Sequence, residues 1–368
     1  MDKIKDYLKN IVEWFKNHNI YSRKFYKKHG KVYSWIAKFA TSFVAVLVIL
    51  VLAVVIVGQV YLGKIDKHVI DKDADLGISD EAEKLYTDSG VLNIMLYGVD
   101  SRDMKEEARS DAIMLLTIDR DKRKIKMTSI ARDTYVNIAG YGYDKLNHAF
   151  VYGWHKTGNI VDGAVLSMNT INSSFNLNTS DFITANFWAL AKIIDYVGGV
   201  EIDVDAAERN DLNRNYTPHI RSMGIDCPDI PTTGLQHLNG GQAVAYCRVR
   251  HVGGDVMRGA RQREVLTAMF SKAKSMNPTR YPGLISLILS ECSTTLTNAE
   301  LLDLGMWAVA NMGSIQFENL GLPTEDIDTG GTYINGVWYY TYDLNKATQK
   351  IQQFILETNP AEGGTVVG

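Results

Sequence analysis

The chain has 368 residues, 46% of them hydrophobic, enough for one large domain or two ordinary ones with a full core. Its 39 basic and 42 acidic residues give a net charge of −3, but residues 1–38 carry +7 and the remainder −10. An acidic body without a broad basic face argues against a nucleic-acid partner, and three cysteines (Cys227, Cys247, Cys292) without a C-x-x-C pair exclude a thiolate zinc site and a disulfide framework, leaving one bridge from Cys227 open.

Residues 4–15 place Ile4, Tyr7, Leu8, Ile11, Val12 and Phe15 at helical spacing, as in a helix lying on a membrane surface. The segment 39–63 contains no charge and lies between Lys38 and Lys64. A helix needs about 20 residues to cross the hydrocarbon, so this segment is expected to be a transmembrane helix. Its apolar run is too long, and too far from the N-terminus, for a cleaved signal peptide. The basic flank "RKFYKKHGK" (23–31) precedes it and an acidic stretch follows, which predicts a cytoplasmic N-terminus (1–38) and a large extracellular domain.

Residues 64–90 read as a polar linker, and 91–357 as the domain. "VLNIMLYGV" (91–99), "AIMLLTI" (112–118) and "KIKMTSI" (124–130) are expected strands, the last two joined by the charged turn "DRDKRK". Helical spacing is found at 160–174, 186–197, 258–276, 284–290 and 299–312, and a Gly stop leads into "VEIDV". Asn335-Gly336 marks a hairpin within 331–343, residues 344–357 form a final amphipathic helix, and 358–368 is a disordered tail. Strands interleaved with helices predict an α/β fold, a sheet covered by helices on both faces.

Charged residues cluster at the strand ends. Asp100 follows the first strand, Asp111 precedes the second, and Arg132 and Asp133 follow the third. If the second strand runs antiparallel to its neighbours, all of them share one sheet edge, where open α/β sheets bind ligands. The stretch "YCRVRHVGGDVMRGARQREVL" (246–266) holds five arginines against Asp255 and Glu264. Extended backbone would aim Arg248 and Arg250 the same way. Helical spacing groups Arg258, Arg261, Gln262 and Val265 on one face and turns Arg263 away, as a surface residue. Arg248, Arg250, Arg258 and Gln262 are the expected ligand-facing residues. Guanidinium forks match phosphate oxygens, so a phosphate-rich ligand is favoured over a carboxylate. Carboxylates beside it suit Mg²⁺ or Mn²⁺. No Walker A sequence, complete G-x-G-x-x-G or nucleophile elbow occurs, and His148 and His251 read as site walls or core residues rather than metal ligands.

"NIMLYGVDSR", "RSDAIMLLTI", "MTSIARDTYV", "YDKLNHAFVYG", "DYVGGVEIDV", "GLQHLNGGQAVAYCRVRH" and "DVMRGARQREVL", in that order over about residues 91–275, together resemble the LytR–CpsA–Psr family. The resemblance implies an α/β/α sandwich with a central mixed sheet. It also implies transfer of a glycopolymer from an undecaprenyl-pyrophosphate carrier to peptidoglycan, at the muramic acid 6-hydroxyl, in a Gram-positive-type envelope. Asp100 and Asp111 would hold Mg²⁺, Arg132 and Arg250 would act in catalysis, and Arg132, Lys145, Arg248, Arg250, Arg258 and Gln262 would grip the pyrophosphate. Asp133 and Asp255 both stand as candidates for the general base. Ala131 occupies a position where the family usually has proline. Two other functions fit the same features: a membrane-tethered regulator that binds polyprenyl pyrophosphate without turnover, and a lipid pyrophosphatase whose acceptor is water.

Overall fold

The computed structural model describes residues 66–99 and 109–357, all within one folded unit. The expected cytoplasmic segment (1–38), transmembrane helix (39–63), tail (358–368) and Asp100 lie outside the described residues. Among the described residues no helix is long and apolar enough to cross a membrane.

The strands are β1 (Asp66–Lys67), β2 (Leu92–Val99), β3 (Ser110–Asp119), β4 (Lys124–Ile130), β5 (Tyr135–Ile138), β6 (Gly142–Lys145), β7 (Asp181–Asn186), β8 (Val200–Val204), β9 (Gly234–Leu238), β10 (Cys292–Thr294), β11 (Gln316–Leu322), β12 (Thr332–Ile334) and β13 (Val337–Tyr339). Seven of them form one mixed sheet in the order β1-β10-β7-β2-β3-β4-β11. β2 is parallel to β7 and β4 is parallel to β11, while β3 runs antiparallel to both β2 and β4. The C-terminal ends of β2, β4, β7 and β11 and the start of β3 therefore share one edge.

Alternation along the strands divides the core in two. Met95, Tyr97, Val99, Ile113, Leu115 and Phe182 face helices Leu146–Thr157, Ile160–Phe175 and Leu344–Leu356. Ile94, Ile118 and Ile183 face the other way, towards helix Asn298–Asn311. Helices Phe187–Val197, Gly254–Ser275 and Tyr281–Glu291 pack on that second face. The result is the expected three-layer arrangement. A further cluster joins the antiparallel β8–β9 pair to helices Gly240–Arg248 and Gly254–Ser275. The β12–β13 hairpin turns at Asn335 (φ 50°) and Gly336 (φ 81°), the left-handed pair that a two-residue hairpin loop requires.

The 64–90 linker is a correction. β1 pairs with β10, and Ser79 caps helix Asp80–Ser89 by accepting from the Ala82 N–H. Ala82 and Tyr86, one turn apart, are fully buried in the main core. Asn169 and Asn172 donate to the carbonyls of Asp75 and Leu76. A segment rich in Asp, Glu and Lys still folds when two well-spaced apolar residues find a core.

Candidate active-site cleft

The shared sheet edge opens into a cleft of about 310 Å³ lined by Asp111, Arg132, Phe187, Tyr216, His219, Arg248, Arg250, His251, Arg258 and Gln262, among others. Asp111 enters it through a bulge. Gly98 pairs with Ala112 and Val99 with Ser110, so Asp111 is an extra residue in β3. A bulge re-aims the side chain it carries, and this one sets the carboxylate against the Arg132 guanidinium, to which Asp111 Oδ1 is hydrogen-bonded.

The turn that carries Arg132 is held by its backbone. The Ala131 N–H donates to Leu322 O, the Asn147 N–H to Arg132 O and the Tyr340 N–H to Asp133 O. Ala131 thus uses the N–H that a proline would lack, and the loop is fixed by its neighbours instead of by a ring.

Arg258 lies one helical turn before Gln262, and both face the cleft. Arg258 is almost fully buried, donates to Asp111 O (3.1 Å) and pairs with Asp255 (2.6 Å). Burial pushes the Asp255 carboxyl up and the Arg258 guanidinium down, against the pull of each charge on the other. Arg132 Nε lies 3.6 Å from Asp255 Oδ1 and 3.9 Å from Asp133 Oδ2. Burial opposes its charge, but Asp111, Asp255 and Asp133 outweigh burial and leave its pKa raised. Neither Arg132 Nε nor Arg258 Nε, both buried, has a hydrogen-bond partner among the described residues. Buried donors of this kind need an acceptor, and phosphoryl oxygens fit them.

The opposite wall is reached differently from the expected extended "RVR". Helix Gly240–Arg248 ends at Arg248, and Arg250 follows in a loop. Arg248 stacks its guanidinium over Phe187, 4.6 Å from the ring centroid. Arg250 is exposed, and no carboxylate among the described residues pairs with it; both arginines line the cleft. Lys145, expected to grip the ligand, pairs with Asp133 at 3.1 Å and is not among the residues that line the cleft.

Two arginines depart from the expected helical face. Arg261 is buried away from the cleft, 2.7 Å from Glu208, and donates to Val249 O and Val252 O. Arg263 is not a surface residue. It is half-buried against β4 and β11, hydrogen-bonded to Ser129 Oγ and to Asn319 Oδ1, and burial lowers its pKa. The helix packs against β4 and β11, so the side that carries Arg263 meets the sheet instead of water. Gly321 makes the room: a Cβ there would lie 2.6–2.9 Å from the Arg263 guanidinium. Arg263→Ala is therefore expected to lower stability by about 1–3 kcal/mol, because it leaves sheet-facing polar groups unpaired. Urea unfolding checks this, and a change within ±0.5 kcal/mol would return Arg263 to the surface class.

Asp111 keeps its second carboxylate oxygen without a partner among the described residues, a hard oxygen donor of the kind Mg²⁺ takes. No group of three metal-capable side chains exists among the described residues. His148 belongs to a separate cluster, 2.9 Å from Asp144, which also accepts from Tyr152. Cys227, Cys247 and Cys292 are all free and buried. Phe187, Tyr216 and His219 were not legible as cleft walls. They belong to no charged motif, and only tertiary packing brings their segments to the sheet edge.

The LytR_cpsA_psr family model matches residues 60–355. A curated relative from Oceanobacillus iheyensis, named polyisoprenyl-teichoic acid–peptidoglycan teichoic acid transferase TagU, is 31% identical over 89% of this chain and 96% of its own length. The Bacillus subtilis protein named as the corresponding transferase TagT is 29% identical over 71% of this chain and 74% of its own. The crystal structure of B. subtilis TagT matches with a TM-score of 0.53 at 26% identity, covering 72% of this chain and 91% of that one. A structure described as TagT bound to LI-WTA gives 0.56 at the same identity, covering 73% and 92%. With the family model spanning most of its length and the mixed sheet and helical layers in place, this chain belongs to the LytR–CpsA–Psr family.

Proposed function

We propose that the chain transfers a glycopolymer, together with one phosphate, from an undecaprenyl-pyrophosphate carrier to a hydroxyl of peptidoglycan. The observation that carries this reading is the arginine-walled cleft. Arg132, Arg248, Arg250 and Arg258 all line it, and neither Arg132 Nε nor Arg258 Nε makes a hydrogen bond among the described residues. A pyrophosphate is an anion of suitable size and charge to be gripped from both sides, and the names of the curated relatives support the transferase reading.

In this scheme Arg248 and Arg250 bind and orient the pyrophosphate, and Gln262 holds its place beside Arg258. Arg132 and Arg258 face the oxygens on which charge grows as the phosphate–phosphate bond breaks, with no reorganisation needed because Asp111 and Asp255 already fix them. Asp111 and Asp100 would hold Mg²⁺, which supplies further charge neutralisation when bound. Asp133 positions Lys145 at the edge of the site. The uncharged segment 39–63 and its basic N-terminal flank support a single-pass anchor with the domain outside the cell, where a peptidoglycan acceptor lies.

The test uses the full chain in detergent with a polyprenyl-pyrophosphate-linked glycan. Release of polyprenyl monophosphate that requires a peptidoglycan oligomer is the expected result. Release at the same rate in water alone would make the protein a pyrophosphatase, and tight binding without release would make it a regulator.

A further inference from the structure

We infer that His251, oriented by Asp211, accepts the proton from the acceptor hydroxyl during transfer; this rests on the transferase reading above. The two carboxylates expected from the sequence for that role, Asp255 and Asp133, are poorly placed. Asp255 is held by Arg258 (2.6 Å) and Arg132 (3.6 Å), and Asp133 by Lys145 (3.1 Å). Neither lines the large cleft, whereas His251 does.

Asp211 ends helix Ala206–Asp211 and is followed by the π-helical turn Leu212–Tyr216. Such turns are rare and concentrate at functional sites. Asp211 Oδ1 lies 2.9 Å from His251 Nδ1, and its side chain is only 9% exposed. Its other oxygen, Oδ2, is buried with no hydrogen-bond partner among the described residues. A carboxylate beside Nδ1 keeps the proton on that nitrogen, so Nε2 is the acceptor. The ring is 58% exposed at the cleft mouth, where an incoming glycan hydroxyl would arrive.

The dyad is also braced. Arg261 binds Glu208 on the Asp211 helix and the carbonyls of Val249 and Val252 on the His251 loop, so one buried guanidinium fixes the distance between the two. Tyr216 OH lies 3.4 Å from His251 Nδ1 and accepts from the Arg250 N–H. The charged and titratable groups around the ring are thus Asp211, Tyr216, Arg250 and, across the cleft wall, Arg248 and His219. Cys247 is no rival, since burial pushes its thiol up to about 12.

The acceptor oxygen attacks the glycan-side phosphorus and forms a new P–O bond. The bridging P–O bond breaks, its electron pair leaves with polyprenyl phosphate, and the hydroxyl proton passes to His251 Nε2 and then to water. Imidazolium formed there is stabilised by Asp211.

The test compares full-length wild type with His251→Gln, Asp211→Asn and His219→Gln, reading transfer rate against pH and the affinity for a short-chain polyprenyl pyrophosphate. General-base loss typically costs about 10²–10⁴-fold. His251→Gln is expected to fall at least about a hundred-fold in rate, to lose the acidic limb of the pH profile, and to bind the pyrophosphate as wild type does. Asp211→Asn should lower the transfer rate while leaving that affinity unchanged, because the ring loses the carboxylate that orients it. Retention of rate or of the acidic limb in His251→Gln, or transfer of the whole loss to His219→Gln, overturns the inference while leaving the transferase reading intact. A wild type inactive towards every acceptor would overturn both.

Discussion

Arg132→Ala is expected to lower the transfer rate by about a thousand-fold, the scale on which arginines act on phosphoryl groups in transition states. The guanidinium is fixed by Asp111 and faced by Asp255 and Asp133, so it is aimed before substrate arrives. Its removal also leaves Asp111 without its cation beside an incoming pyrophosphate, which adds repulsion. The fold should survive, since backbone hydrogen bonds from Ala131, Asn147 and Tyr340 hold the turn without the side chain. Arg132→Lys should recover only part of the loss, because the charge returns without the fork. Asp111→Ala should be strongly non-additive with Arg132→Ala, as members of one unit are. Steady-state turnover of the single and double variants checks this. A single variant within tenfold of wild type would remove Arg132 from the reacting centre.

Arg261→Ala has the largest expected effect on stability, a loss of about 3–5 kcal/mol. Arg261 is 2% exposed and Glu208 7%. Truncation leaves the Glu208 charge buried against Tyr246, and strips the carbonyls of Val249 and Val252 of their donor. Replacing both Arg261 and Glu208 with apolar residues of similar volume should cost far less, since no unpaired charge remains. The midpoint of urea unfolding, with unchanged slope, is the measurement. A loss under 1 kcal/mol for Arg261→Ala would mean that the pair is solvated in solution.

The central strands were legible because their signals were local. Near-continuous apolar runs marked β2 to β4, and the short charged turn at 119–124 forced β3 antiparallel, which brought Asp111 and Arg132 to one edge. Asn335-Gly336 announced its hairpin through backbone chemistry alone. β11 was missed because "QFENLGL" has no clean alternation; it forms by pairing in register with β4. The bulge at Asp111 was invisible for a similar reason, since it exists only in the pairing with β2.

Helical spacing gave the right neighbours within residues 258–265 but not their surroundings. Arg258 and Gln262 reach the cleft, Arg261 and Val265 point to the β8–β9 cluster, and Arg263 meets the sheet. Which side of a helix meets ligand, core or water is decided by what packs on it. One chain segment does not carry that information. The Asp211–His251 pair joins residues 40 apart, and nothing local links them.

In the proposed reaction, glycan and phosphate move together onto a peptidoglycan hydroxyl. The most direct measurement is the intact mass of a peptidoglycan oligomer after incubation with full-length protein and a lipid-linked glycan of known mass. The expected product is heavier by the glycan plus one phosphate, with polyprenyl monophosphate released in equal amount. An oligomer heavier by the glycan alone, or unchanged while the carrier is cleaved, would contradict it.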